Sequence, residues 1–135
     1  MRSMEKGNIK ICPTTIRTPN TFHIKANNMA KKEIKIFCWN VNGIRAIWKK
    51  DFPKWFKKTS PDILCLQETK AQAEQLDDEV KKYCGCWSEF FSAEKKGYSG
   101  VATYSKIPPV DFKKGLGNPY YDNEGRVLQT DFKDF

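Results

Sequence analysis

The sequence predicts an α/β fold, and three observations carry that prediction. Two apolar runs rich in β-branched and aromatic residues, 34–39 and 63–67, read as strands. The residues between them carry helical spacing, and Gly, Pro and Asn punctuate the boundaries. Composition agrees, because 39% hydrophobic and 13% aromatic residues suit a chain with a packed core better than a disordered one. At 135 residues the chain is long enough for one domain and too short for two.

Residues 1–32 show no sustained hydrophobic period and contain Pro13, Pro19 and the pair Lys31-Lys32. They read as a mobile basic N-terminal extension ahead of a domain over 33–135. Their charge fits a nuclear signal or an organelle transit peptide. The plainer alternatives are an inert tail, or translation that starts at Met29.

The first strand, 34–39, stops at Asn40-Val41-Asn42-Gly43, a turn signal. Ile44, Ile47 and Trp48 then share one helical face, and Pro53 stands where proline suits the first turn of a second helical stretch. Trp48, Trp55 and Phe56 belong to the core, because helical spacing accounts for them. Ser60-Pro61-Asp62 ends the helical stretch. The run 63–67 reads as a strand buried on both faces, as central parallel strands are. A further helix is expected over 72–83 from Leu76, Val80 and Tyr83, followed by shorter strands at 87–93, 101–105 and 127–132. A Pro/Gly-rich loop fills 107–125.

The net charge of +8 invites a nucleic-acid reading, yet residues 1–32 hold seven of the 24 basic residues and only Glu5 of the 16 acidic ones. Most of the basicity therefore lies in the extension and identifies no binding face. Five cysteines, an odd number, argue against a disulfide framework. Cys84-Gly85-Cys86 lacks the further ligands a zinc site needs, and His23 is the sole histidine. Reduced structural thiols in the nucleus or cytoplasm are the expectation. The longest apolar run, 63–66, is strand-sized, so no membrane association is expected.

A strand, helical crossover and parallel strand bring both carboxyl ends to one sheet edge, where open α/β folds build their sites. Asn40 and Glu68 sit at those ends. A carboxylate beside an amide oxygen suits a hard cation such as Mg²⁺. On residues alone, a surface carboxylate and a turn-initiating asparagine are the plainer account of the pair, and the one the residues favour.

Four ordered segments add a resemblance. Trp39-Asn40-Val41-Asn42-Gly43-Ile44-Arg45-Ala46 and Ser60-Pro61-Asp62-Ile63-Leu64-Cys65-Leu66-Gln67-Glu68-Thr69-Lys70 resemble two signatures of the exonuclease III / apurinic-apyrimidinic (AP) endonuclease family. Gly97-Tyr98-Ser99-Gly100-Val101-Ala102 and Glu124-Gly125-Arg126-Val127 resemble two more, in the family's order and spacing. This resemblance implies the N-terminal half of a four-layered αββα sandwich with mixed β-sheets. It also implies a monomeric DNA repair enzyme that hydrolyses the backbone of double-stranded DNA at abasic sites and 3′ ends, with Mg²⁺, or Mn²⁺ in its place. Glu68 would bind the metal, and Asn40 would bind or orient it with the scissile phosphate.

Arg45 and Lys70 match positions that approach the DNA backbone; read alone, each is an exposed cation. Tyr98 matches a residue facing the minor-groove side, or is a turn tyrosine over the sheet edge. Arg126 matches an arginine that contacts phosphate or pairs internally. The family's Gly-Asp-x-Asn segment, catalytic tyrosine and terminal Asp-His pair have no counterpart among these residues, so no catalytic residue is assigned beyond the metal site. A fragment inactive by itself is the expectation. The alternatives are a non-catalytic DNA-binding product, or a branch such as retrotransposon endonucleases or inositol-phosphate phosphatases. The Gly-Tyr-Ser-Gly and Glu-Gly-Arg segments argue against that branch.

Overall fold

The strand–helix–strand unit read from the sequence forms the centre of the computed structural model, which describes residues 19–25 and 33–133. In chain order the elements are β1 (Asn20–Lys25), β2 (Glu33–Asn40), α1 (Ile44–Trp48), α2 (Phe52–Thr59), β3 (Ile63–Gln67), α3 (Asp78–Lys81), β4 (Trp87–Phe91), β5 (Val101–Ser105), β6 (Asp111–Lys114), α4 (Pro119–Asp122) and β7 (Leu128–Asp131). Five strands form a mixed sheet in the order β1-β2-β3-β5-β4, in which only β2 and β3 run parallel. The hairpin β6-β7 is a separate two-stranded sheet.

One face of the large sheet carries Phe37, Trp39, Leu64, Leu66, Phe90, Ala102 and Tyr104, packed against Ile44, Phe52 and Phe56 of the helices. Phe52 stacks on Trp39 with ring centres 5.9 Å apart, and Trp55 meets Phe37 edge-on at 5.3 Å. Trp48 and Trp55 pack against this cluster and Phe56 lies inside it, as their helical spacing implies. The opposite face meets β6, through the Trp87–Phe112 ring contact and the Lys114–Glu89 ion pair at 2.7 Å. Helices, a mixed sheet and the start of a second sheet are thus layered in the expected α/β manner.

Three expectations change. The helix over 72–83 is broken into a 3-10 turn at Ala73–Gln75, α3, and a second 3-10 turn at Tyr83–Gly85. Leu76, Val80 and Tyr83 are all buried, as their spacing implies. However, Leu76 is extended, and Asp77 opens a new helix whose first turn carries Asp78 and Glu79, favourable at a helix N-terminus. The loop over 107–125 holds β6 and α4, folded around Asp122. Its carboxylate accepts the N–H groups of Leu116, Gly117 and Asn118 at 2.7, 2.9 and 3.0 Å.

The third change concerns the extension. Residues 1–18 and 26–32 lie outside the described residues, but Asn20–Lys25 do not stand free: they pair antiparallel with β2, from Asn20 opposite Cys38 to Lys25 opposite Glu33. The cause is the unpaired edge of β2, which accepts a strand whose Thr21, Phe22 and Ile24 favour extended backbone. His23 and Glu33 tie its end through an Nδ1–Oε1 contact of 2.6 Å.

Candidate functional site

Parallel pairing of β2 and β3 places Asn40 opposite Gln67, so the turns that follow both strands leave the same sheet edge. Three backbone bonds fasten these turns together: Val41 N–H to the Gln67 carbonyl at 3.0 Å, Gly43 N–H to Glu68 at 2.8 Å, and Ile44 N–H to Thr69 at 2.9 Å. The Gly97–Gly100 segment joins next, since the N–H groups of Thr69 and Lys70 donate to the carbonyls of Gly100 and Ser99 at 3.1 and 2.9 Å. Gly125 closes the set from behind. Its backbone lies so near Ser92 and Ala93 that a Cβ would stand 2.6 Å from either. All four motifs therefore meet in one place.

At their junction the Glu68 carboxylate is hydrogen-bonded by the Asn40 amide and faces the Lys70 ammonium at 3.3 Å. Asn40 first, and then Lys70, hold the Glu68 carboxyl below the usual carboxylate range. The Asn40 Oδ1 accepts the Asn42 N–H at 3.1 Å, so its amide N–H₂ is the side turned to Glu68. In this arrangement Asn40 orients the carboxylate. Lys70 Nζ also donates to Asn42 Oδ1 at 2.6 Å, which brings in a residue that the sequence marked only as part of a turn.

Arg45 and Lys70 line one side of an open cleft of about 500 Å³, together with Gly43, Ala46, Lys49, Thr69 and Gly97. Lys49 was not singled out from the sequence. The available signal is its spacing four residues beyond Arg45, which puts both cations on one helical side. Tyr98 and Arg126 form a neighbouring pair: Arg126 Nη2 donates to the Tyr98 hydroxyl at 2.9 Å, while its Nε pairs with Glu124. Internal pairing is thus the state of Arg126, and its guanidinium still adds to the positive field at Glu68. Tyr98 remains exposed and also has Lys95 5.5 Å from its ring centre.

The donor set fits a hard cation. Glu68 offers an ionised carboxylate, and the Asn42 amide oxygen shares the Lys70 ammonium with it; such oxygens are the ligand class Mg²⁺ takes while keeping several waters. Among the described residues no three His, Cys, Asp or Glu side chains converge as they would for a zinc cage. No helix among them is long and apolar enough to cross a membrane.

Comparison with known proteins shows what the chain and its fold resemble. The chain is 44% identical to an exodeoxyribonuclease of Bacillus subtilis over 101 residues, covering 74% of this chain and 39% of that protein. It is 42% identical to the DNA repair nuclease APEX1 of Danio rerio, covering 76% of this chain and 34% of the relative. Among solved structures, an AP endonuclease from Archaeoglobus fulgidus superposes with a TM-score of 0.65 at 32% identity, over 75% of this chain and 38% of that one. A 3′ phosphatase from Neisseria, solved bound to a product DNA hairpin, gives 0.64 at 28% identity, over 74% and 38%. The chain thus spans well under half the length of these relatives. The sequence profile of the Endonuclease/Exonuclease/phosphatase family matches residues 37–135, most of the chain, and the chain belongs to that family.

Proposed function

We propose that this chain supplies the N-terminal, metal-binding part of a DNA repair phosphodiesterase of the exonuclease III / AP endonuclease type. The observation that carries this reading is the ionised Glu68 carboxylate, held by Asn40 at the shared end of two parallel strands beside a cleft lined by Arg45, Lys49 and Lys70. A carboxylate alone would repel a phosphodiester, whereas cations alone would bind it without assisting hydrolysis. The two together suit hydrolysis of a polyanion, and the relatives are an exodeoxyribonuclease and a DNA repair nuclease.

Glu68 would hold a Mg²⁺ ion, with Mn²⁺ as a substitute, and such an ion offsets charge developing on phosphate oxygens. Asn40 fixes the carboxylate's direction. Arg45 and Lys70 neutralise the DNA backbone, and Tyr98 with Arg126 presents a rigid aromatic edge next to it. The substrate in this reading is duplex DNA carrying an abasic site or a blocked 3′ end. The described residues offer no general base or acid placed beside Glu68, so the chain alone is not expected to turn over. One observation favours a second reading, a DNA-binding product without catalysis: among the described residues no group of three His, Cys, Asp or Glu side chains forms around Glu68.

The deciding experiment replaces the matching segment of the Bacillus subtilis exodeoxyribonuclease with residues 33–133 of this chain. Incision of an abasic duplex with Mg²⁺ is then measured. The chimaera should cut, and Glu68→Gln should lower the rate by about 100-fold or more, as loss of a key transition-state contact does. A folded chimaera that binds duplex but never cuts it would favour the second reading.

A further inference from the structure

We propose that Lys70 is a tethered counter-cation of the metal site. Its ammonium holds Glu68 and Asn42 together until a divalent ion competes for the carboxylate, and the freed ammonium then turns into the adjoining cleft. This inference rests on the metal-dependent reading above and adds a coupling between the ion and the DNA backbone.

Two observations carry it. Lys70 Nζ lies 2.6 Å from Asn42 Oδ1 and 3.3 Å from Glu68 Oε2, so a single positive group serves two of the oxygens that suit a hard cation. The backbone is bent to achieve this: Asn42, Glu68 and Lys70 are all left-handed, with φ of 46°, 53° and 50°. Ser99, whose carbonyl accepts the Lys70 N–H, is left-handed too at 46°. Such residues are costly and persist only where their surroundings hold them. Four of the six positive-φ non-glycine residues among those described are therefore Lys70 itself and residues bonded to its backbone or its ammonium.

The contact is nevertheless easy to open. Side chains 35% and 40% exposed make a weak, solvent-screened ion pair. A divalent ion doubles the Coulomb attraction to Glu68 at equal distance. Once released, the Lys70 ammonium stands in the cleft with Arg45 and Lys49, where three cations repel one another unless an anion joins them. Ion binding thereby readies a phosphate seat, and by linkage a bound backbone favours the ion.

The test uses the full 135-residue chain. Free Mn²⁺ is followed by electron paramagnetic resonance for the wild type, Lys70→Met, Lys70→Arg and Glu68→Gln, with melting curves as a folding control. Acetylation of Lys70 by acetic anhydride, read by mass spectrometry, is compared with and without Mn²⁺. Lys70→Met should bind Mn²⁺ about fivefold tighter or more, on the scale of one removed like charge. Lys70→Arg should stay near wild type, and Glu68→Gln should bind least. Lys70 should acetylate faster once Mn²⁺ is bound. Unchanged or weaker binding by folded Lys70→Met, or protection of Lys70 by Mn²⁺, overturns the inference alone. Absence of Mn²⁺ binding in both the wild type and Lys70→Met overturns the metal reading as well.

Discussion

Gly100 and Thr69 touch at backbone range: the Thr69 N–H donates to the Gly100 carbonyl at 3.1 Å, and a Cβ on Gly100 would stand 2.4 Å from Thr69 Oγ1. This contact joins the Gly97–Gly100 segment to the turn that carries Glu68. Thr69 is fully buried and has no room to retreat. Gly100 also has φ of +86°, a conformation that favours glycine. Gly100→Ala is expected to destabilise the chain by about 1–3 kcal/mol, the usual cost of overpacking. Thermal melts of Gly100→Ala, Thr69→Ala and the double variant check it. The double variant should lose less than the sum of the two, and strict additivity would show that the clash is absent.

The state of Glu68 can be titrated directly. Because Asn40 is the largest cause of its lowered pKa, Asn40→Ala should raise that pKa more than Lys70→Met does. The sign follows from the depressed folded value: the ionised form and its favourable contacts are complete above the ordinary carboxylate range. They are lost as pH falls through the depressed value. Carbon-13 carboxyl shifts measured against pH, without divalent ions, read this out. A larger rise in Lys70→Met would make the ammonium, not the amide, the main support.

A different pH response is expected at Cys38. It lies opposite Cys65 in the β2–β3 register, and a thiol hydrogen bond from Cys65 brings the Cys38 pKa down to about 7. The same contact, with burial, pushes Cys65 up. The Cys38 thiolate thus forms as pH rises through neutrality, while Cys65 stays protonated. Iodoacetamide labelling followed by mass spectrometry should find Cys38 modified with a midpoint near pH 7, well ahead of Cys65 and buried Cys86. Cys65→Ala should move that midpoint upward. Equal labelling of Cys38 and Cys65 would argue against the proton-sharing arrangement.

These cases show why some of the site is legible in sequence and some is not. Residues 63–67 read as a central strand because 63–66 form an unbroken apolar run, although Cys65 and Gln67 on one face are only half-buried, and the edge position of Glu68 follows from it. Trp48, Trp55 and Phe56 were likewise readable, since helical spacing is a local property. Asn42 was not, because its partner Lys70 is 28 residues away and the turn signal at 40–43 explains it locally. The role of Arg126 stayed open for the same reason: Tyr98, its partner, is again 28 residues distant. The break at Leu76 keeps the burial of a helix while changing its backbone, and burial is all that periodicity reports. Strands β1 and β6 escaped because both lie at sheet edges and neither carries a sustained apolar pattern, every residue of β6 being exposed.

The last expectation concerns β1. Its six residues pair along the outer side of β2, and the register runs without interruption from Asn20–Cys38 to Lys25–Glu33. Cross-strand pairs contribute roughly 0.2–1 kcal/mol each, so removing the strand should cost about 1–3 kcal/mol once the chain entropy of ordering it is offset. Removal also uncovers the N–H and C=O groups along the outer edge of β2, and an open edge recruits other strands. A chain lacking residues 1–25 should therefore melt several degrees lower, as a loss of that size does in a domain of about 100 residues. It should also self-associate with rising concentration. Light scattering and melting curves of the shortened and full chains decide the matter. Replacing Phe22 and Ile24 by proline in the full chain serves as a control, since proline removes ladder donors without shortening the chain. Shortened and proline-substituted chains that stay monomeric and melt with the full one would mean that β1 adds nothing to the sheet.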